Sequence, residues 1–297
     1  MSVPSHIAII GFGEVGGILA QDLHAAGIAR ITSFDTAFAD PTSKASKAAA
    51  VAPIIACSSA VEAAAGAAVI ISAVTAGSAL DAARSVLPIA NDAFFIDLNS
   101  VSPSTKQAAA AAVDAGGGRY VEAAVMASVP PKRLKTPMLL GGAHAATFLP
   151  LADALGLSAQ VYSTELGAAS SVKMCRSIMI KGLEALAVEC MLTARAYGVE
   201  ADVLRSLADT LPHPDWPGLA RYLISRSLLH GKRRAEEMRE VARTVSEAGI
   251  EPLLAAPTAV RHDWSYAKAR ELPAGAANGA LADLLDALLQ QVRAAAE

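Results

Sequence analysis

Residues 6–27 read HIAIIGFGEVGGILAQDLHAAG. An apolar run, His6–Ile10, meets a turn of the form Gly11-x-Gly13-x-x-Gly16, and an Ala- and Leu-rich segment with helical spacing follows. Each glycine has its own physical reason. Gly11 permits a tight turn, Gly13 lets a pyrophosphate approach the main chain, and Gly16 lets helix and strand pack closely. The start of the helix then offers N–H groups and the positive end of its dipole to the phosphates. A second apolar run, ARITSFD (29–35), ends on Asp35, 22 residues beyond Gly13. A carboxylate at that distance accepts hydrogen bonds from the adenine ribose hydroxyls of a dinucleotide. Its charge also opposes a 2′-phosphate, so NAD is expected ahead of NADP; Ser33, Lys44 and Lys47 are the residues that would shape a pocket for NADP. The expected cofactor contacts are Gly11, Phe12, Gly13, Glu14, Val15, Gly16, Asp35 and, after a later run, Val74 and Thr75.

Outward from this unit, short β-branched runs alternate with Ala-rich segments: Pro53–Ala56, Ala68–Val74, Phe94–Leu98, Tyr120–Met126 and Met138–Gly141. Such alternation predicts βα units around a parallel sheet. From Thr164 to Gly198 there is no proline and the pattern is one long helix. The remainder is helical too, broken at LPHPDWPG (211–218) and EAGIEP (247–252). The expected architecture is an α/β Rossmann N-terminal domain (1–163) plus an all-α C-terminal domain (164–297).

Composition narrows the function. Lysine and arginine number 25 against 28 acidic residues, a net charge of −3. That balance argues against a nucleic-acid surface, which shows as a basic excess. The one basic cluster, Lys132-Arg133-Leu134-Lys135, reads as a solvated hairpin tip. Residues 63–80 carry no charge, yet are mostly Ala, Gly, Ser and Thr, so they read as a helix end plus a buried strand rather than a membrane span. Cys57, Cys175 and Cys190 have neither metal-ligand nor disulfide-framework spacing. With no secretory signal pattern at the N-terminus, a reduced, cytoplasmic setting is expected.

Four segments in order resemble the β-hydroxyacid dehydrogenases, the family that includes 3-hydroxyisobutyrate dehydrogenase and 6-phosphogluconate dehydrogenase. They are the glycine turn, Asp97-Leu98-Asn99-Ser100-Val101-Ser102-Pro103, the segment Tyr120–Ser128, and Gly167-x-x-x-x-x-Lys173 opening the long helix. The resemblance implies a lysine, Lys173, that handles the substrate hydroxyl proton. It also implies substrate contacts at Asn99, Ser100 and Ser102 and at Met126, Ala127 and Ser128. The chain departs from the family pattern at Asn99 and at Met126-Ala127-Ser128. Arg176 and Ser177 stand where an Asn-Asn pair follows the lysine, and Glu236-Glu237 where a Lys-Asp pair is usual. The C-terminal half resembles a variant branch of 6-phosphogluconate-dehydrogenase-like proteins, and the resemblance implies a homodimer.

The residues give their own account of this chemistry. On a helical wheel Lys173 shares a stripe with Ala169, Ser177, Ile180, Ala187 and Met191. Burial there would disfavour the ammonium and let the amine exchange protons near neutral pH. The alternative is a lysine whose stem lies on apolar surface with its amine in water. Met238, Val241, Ala242 and Val245 define a stripe that Arg234 and His230 continue, so these two are candidates for an acidic substrate group. An internal Arg234–Glu237 or Arg233–Glu237 pair is the competing reading. Arg176 is a further anion candidate, Glu184 a partner for some basic side chain, and His213 and Trp216 the residues that fix a loop or line a pocket mouth. The expected function is reversible hydride transfer between a hydroxy acid and nicotinamide, the substrate a small molecule bearing a carboxylate. A C=N reductase resembling imine reductases and a non-catalytic dinucleotide sensor are the rival readings.

Overall fold

The structure, a computed structural model, describes residues 4–90, 92–273 and 275–294. It divides into two compact units, Met1–Met174 and Cys175–Glu297. The first begins β1 (His6–Ile10), α1 (Glu14–Ala25), β2 (Arg30–Phe34), α2 (Lys44–Ala49), β3 (Ile55–Ala56), α3 (Ala60–Ala64) and β4 (Val69–Ser72). It continues α4 (Ala79–Ser85), β5 (Phe94–Asp97), α5 (Pro103–Ala115), β6 (Arg119–Val125), α6 (Val129–Lys132), β7 (Met138–Gly141), α7 (Ala145–Ala154) and β8 (Ala159–Ser163).

These strands form one sheet in the order β3-β2-β1-β4-β5-β6-β7-β8. It is parallel from β3 to β6; β7 runs antiparallel to β6, and β8 parallel to β7. The chain winds outward from β1 through β2 to β3, then returns to β4 on the other side. The carboxyl ends of β1 and β4 therefore flank the switch point, where open α/β sheets bind ligands. β1, β4 and β5 are buried throughout, which is why they read as unbroken apolar runs. Successive side chains point to opposite faces. Ile7, Ile9, Val69, Ile71 and Ile96 pack with Leu19 and Leu23 of α1 and Phe148 of α7. Ala8, Ile10, Ile70 and Phe95 pack with Ala83, Ala109 and Val113 on the other face.

Two sequence readings change. Pro53–Ala56 shortens to the two residues of β3, because Pro53 has no N–H to give a sheet edge. β8 was not anticipated: it is an edge strand of half-buried and exposed residues with no apolar run to mark it. The Lys132–Lys135 cluster joins two antiparallel strands with Lys132, Arg133 and Lys135 exposed, as expected. Arg133 lies against Asp22 of α1, with Nε 2.8 Å from Oδ1, and Lys135 Nζ donates to the Gly156 carbonyl at 2.9 Å. The uncharged stretch 63–80 divides into the end of α3, β4 and the approach to α4. Among the described residues no helix is long and apolar enough to cross a membrane.

The division between units falls within α8 (Ala168–Ala196), the long helix. The helical unit continues through α9 (Glu200–Thr210), α10 (Trp216–Glu247), α11 (Ala255–Ala269) and α12 (Leu281–Ala294). The break at 211–218 is the start of α10: Asp215 caps it by accepting from Gly218 N at 2.8 Å, and Pro217 sits in the first turn, where its missing N–H costs nothing. Val188 and Met191 of α8, Leu204 of α9, Ile224 and Leu228 of α10, and Leu284 and Leu288 of α12 form the core. Gly231 permits α10 and α11 to approach closely, since a Cβ there would lie 2.5 Å from the His262 carbonyl oxygen.

Candidate functional site

The glycine turn follows β1 at the switch point. Gly11 has φ +95, and a Cβ on it would stand 2.5 Å from the Ala73 carbonyl oxygen. A Cβ on Gly16 would stand 2.1 Å from the Gly11 carbonyl oxygen, so both positions exclude any side chain. A Cβ on Gly13 would meet nothing within 4 Å. That open, exposed position precedes α1, whose start carries no side-chain cap, which leaves main-chain N–H groups for an anion. Asp35, at the end of β2, accepts from Phe12 N at 2.7 Å through Oδ2 and from Ala37 N at 2.8 Å through Oδ1. It thereby ties the glycine turn to the β2 edge, with lone pairs left for ribose hydroxyls. Glu14 and Thr75 are exposed, Phe12 is buried, and Val15 and Val74 are half-buried. The residues present thus fit a dinucleotide.

Beneath the loops after β4 and β5 lies a buried polar hub that the sequence reading did not identify. Lys106 of α5 is fully buried; its Nζ is 3.0 Å from Asp97 Oδ1 and donates to the Asp97 carbonyl at 2.9 Å. Tyr120 donates its hydroxyl to Asp97 Oδ2 at 2.7 Å. Burial and the Asp97 charge push its phenol well above the ordinary range, so it stays a donor. Asp97 Oδ1 also accepts from Asn99 N at 2.9 Å. Asn99 itself is turned inward, which corrects the expectation that it faces a substrate: its Oδ1 accepts from Val74 N at 2.8 Å and its Nδ2 donates to Ser72 Oγ at 2.9 Å. Ser102 is likewise buried, as the N-cap of α5. Ser100, Met126 and Ala127 are half-buried and Ser128 is exposed.

The long helix opens under the control of Glu122, a second residue the sequence reading missed. It is fully buried on β6, and its carboxylate accepts from Gly167 N at 2.7 Å and from Ser170 N. Gly167 immediately precedes α8 and Ser170 lies in its first turn, whose amides lack partners inside the helix. Gly141 pairs with Glu122 across β6–β7, and a Cβ there would sit 2.7 Å from Glu122 Oε2, so the glycine makes room for the cap. Lys173 lies in the second turn and is half-buried. An acid inside an apolar strand run, and a lone lysine on the Ala109–Val113 stripe of α5, were the signals for Glu122 and Lys106.

Further along α8 the expected stripe is buried at Ala169, Ser177 and Met191 but not at Ile180, and it takes in two charged residues. Ile180 is 38% exposed, while Ser177, Lys181 and Glu184 are buried. Charged residues face inward because α10 supplies partners. Lys181 Nζ lies 2.7 Å from Glu237 Oε2 and donates to Ser177 Oγ at 3.1 Å; Arg234 lies 2.7 Å from Glu184 Oε1. Arg233 pairs with Glu237 at 2.7 Å. Burial lowers Lys181 against the opposing pull of Glu237. Burial also lifts Glu184 to about 7 despite the adjacent Arg234, and its Oε2 has no hydrogen-bond partner among the described residues. Arg234, expected to hold a substrate anion, is thus engaged by Glu184. His230 is half-buried and hydrogen-bonded to Arg226 at 3.0 Å; burial and then Arg226 lower it to about 4, so near neutral pH it carries no charge. Arg176 is exposed. Trp216 donates to the Leu211 carbonyl at 2.9 Å and with His213 lines an open cleft.

Comparison with known proteins agrees with this division. Residues 6–167 match the NAD binding domain of 6-phosphogluconate dehydrogenase, and residues 194–265 match a domain of unknown function, DUF1932. A conserved hypothetical protein from Sinorhizobium meliloti 1021 is 36% identical, with TM-score 0.71 over 98% of this chain and 97% of that one. A conserved protein of unknown function, described as structurally similar to 3-hydroxyacid dehydrogenases, is 31% identical, with TM-score 0.66 over 90% of this chain and 98% of that one. The 3-hydroxyisobutyrate dehydrogenase of Mycobacterium tuberculosis, solved with L-serine, shares the fold at 18% identity, with TM-score 0.72 over 98% of this chain and 100% of that one. The chain therefore belongs to the family defined by the NAD-binding domain of 6-phosphogluconate dehydrogenase, and its first unit is an NAD(P)-binding domain.

Proposed function

We propose that this protein is an NAD(P)-dependent oxidoreductase that interconverts a hydroxy acid and its carbonyl form, with Lys173 as the acid/base. The observation that supports it most is the anchoring of the α8 opening by Glu122, which fixes the turn before Lys173 against the sheet that carries the glycine turn. Bound nicotinamide supplies the hydride acceptor or donor. In oxidation the neutral Lys173 amine takes the hydroxyl proton as the C–H hydride leaves, so a C=O bond forms and the lysine becomes ammonium. In reduction that ammonium polarises the carbonyl and returns the proton. Ser100 and Ser128 orient the substrate hydroxyl and acid group, and Arg176, exposed three residues past Lys173, offers a guanidinium for the carboxylate. NAD is favoured over NADP by Asp35. Exposed Met179, Leu183 and Leu186 on α8 suit a helix covered by a second copy of the chain, and light scattering reads that mass directly.

The inward turn of Asn99 and the sequence Met126-Ala127-Ser128 leave few side-chain donors for an alcohol, which keeps a C=N reductase as the second reading. Wild type and Lys173→Ala are compared on a panel of 2- and 3-hydroxy acids and cyclic imines, with NAD(H) and NADP(H). The proposal expects hydroxy-acid turnover that collapses in the variant while cofactor still binds. Turnover that survives the substitution removes Lys173 from the mechanism. Imine reduction alone favours the second reading, and binding without turnover on any substrate favours a sensor.

A further inference from the structure

The sheet order divides a bound dinucleotide between two sets of residues. Asp35, on β2, lies to one side of β1, while β4 and β5 lie on the other. With the adenine ribose on Asp35 and the pyrophosphate at the start of α1, the nicotinamide half extends toward the loops that follow β4 and β5. Those loops are Val74–Thr75 and Asn99–Ser100. The side chain of Asn99 bridges the two, accepting from Val74 N and donating to Ser72 Oγ, beside the Leu98 N–H bond to the Ser72 carbonyl and the packing of Ala76 with Val101.

Asn99 is held in turn from below. Its N–H donates to Asp97 Oδ1, and Asp97 is itself completely buried. A carboxylate out of water needs a counter-charge and donors. Lys106 supplies the charge, and it grips both the side chain and the main chain of Asp97, at 3.0 and 2.9 Å. Tyr120 closes the far oxygen at 2.7 Å. The bonds run without a gap from Lys106 to Asp97, from Asp97 to Asn99, and from Asn99 to Val74 and Ser72. The adenine side uses other bonds: Asp35 to Phe12 N and Ala37 N.

We propose that Lys106 is a positioning residue for the nicotinamide half of the cofactor, setting the loops after β4 and β5 through Asp97 and Asn99. It touches neither cofactor nor substrate. Without its ammonium, Asp97 loses its counter-charge and Oδ1 is no longer held in place for Asn99 N, so the Asn99 amide no longer fixes Val74. The adenine half has no share in this chain of bonds and keeps its contacts. A general loss of folding would weaken both halves alike, so the two roles separate in a binding measurement.

The inference rests on NAD(P) binding and is independent of the acid/base role of Lys173. Calorimetry on the full chain compares the oxidised cofactor that the wild type binds more tightly with its fragment lacking nicotinamide: ADP-ribose for NAD, 2′-phospho-ADP-ribose for NADP. For Lys106→Met the whole cofactor is expected to bind about tenfold weaker or more, and the fragment within about twofold of wild type. Equal losses for both ligands, or no loss for the whole cofactor, overturn the proposal. Should Lys106→Met fail to fold, Asn99→Ala leaves the Lys106–Asp97–Tyr120 cluster intact and cuts only the link to Val74 and Ser72. It is expected to show the same split, and its absence there overturns the proposal as well.

Discussion

Glu122→Gln isolates the capping of the long helix. Glutamine keeps the volume and one carbonyl acceptor, so either Gly167 N or Ser170 N retains a partner. The other N–H then faces an NH2 group, donor against donor, in a site with no exposure. A hydrogen bond to a charged group contributes about 1.5–3 kcal/mol. Removing a carboxylate from a buried helix N-terminus costs up to about 2 kcal/mol more. The two overlap, so we expect about 3–4 kcal/mol of destabilisation, which lowers the melting temperature by roughly 10 °C in a unit of this size. Thermal unfolding followed by circular dichroism, with urea unfolding to give the free energy, measures it. Because α8 opens less firmly, turnover dependent on Lys173 should fall further than cofactor affinity. A change below about 1 kcal/mol would refute the reasoning, since it would mean the capping bonds contribute no more than water would.

Other consequences follow from single contacts. Asp35→Ser removes the charge that opposes a 2′-phosphate, so the ratio of NADP to NAD affinity should rise about tenfold or more in a direct titration; an unchanged ratio would show that Asp35 does not set the preference. Arg234→Met leaves Glu184 buried without its counter-charge and should cost about 3–5 kcal/mol in urea unfolding. The double substitution Arg234→Met, Glu184→Leu should recover most of that loss, and a double variant as unstable as the single one would contradict it. His262 is fully buried against Ser227 and lowered to about 4, chiefly by burial and then by Arg234. The folded state therefore binds this proton less readily than the unfolded state: the contribution is complete above about pH 6.5 and is lost as pH falls toward 4, reaching about 2 kcal/mol at pH 5. Glu184, raised to about 7, works in the opposite direction over the same range. The stability difference between wild type and His262→Asn thus isolates the histidine, and a difference that does not vary between pH 8 and pH 5 would refute the assignment.

The first part of the fold was legible because local chemistry and tertiary role coincide there. The Gly11–Gly16 turn can be recognised from spacing alone, since Gly16 answers to the close approach of Gly11, Gly11 to that of Ala73 after β4, and Gly13 leaves the main chain open. The fully buried strands β1, β4 and β5 announced themselves as apolar runs, and the length of α8 followed from the absence of proline between Thr164 and Gly198. β8 escaped because an edge strand needs no apolar run, and the two-residue β3 because a proline trims a pattern that otherwise looks sufficient.

The identity of candidate groups came from the sequence, but their availability did not. Asn99, Ser102 and Arg234 are residue types that bind ligands, and in the folded chain their polar atoms are taken up by Val74, Ser72, the α5 N-terminus and Glu184. Conversely Glu122, Lys106 and Lys181 look misplaced on apolar stripes until partners arrive from the start of α8, from β5 and from α10. Periodicity reports which face of an element turns inward, and burial makes that face apolar only when no opposite charge meets it. Whether a buried charge has a partner depends on residues tens of positions away, as with Glu122 and Gly167 or Glu184 and Arg234. Sequence by itself therefore determined the parallel part of the sheet, the dinucleotide turn and the existence of the long helix. Only the tertiary structure decided which polar groups remain free for chemistry and which are spent holding the fold, because hydrogen bonds and ion pairs are satisfied in space and not along the chain.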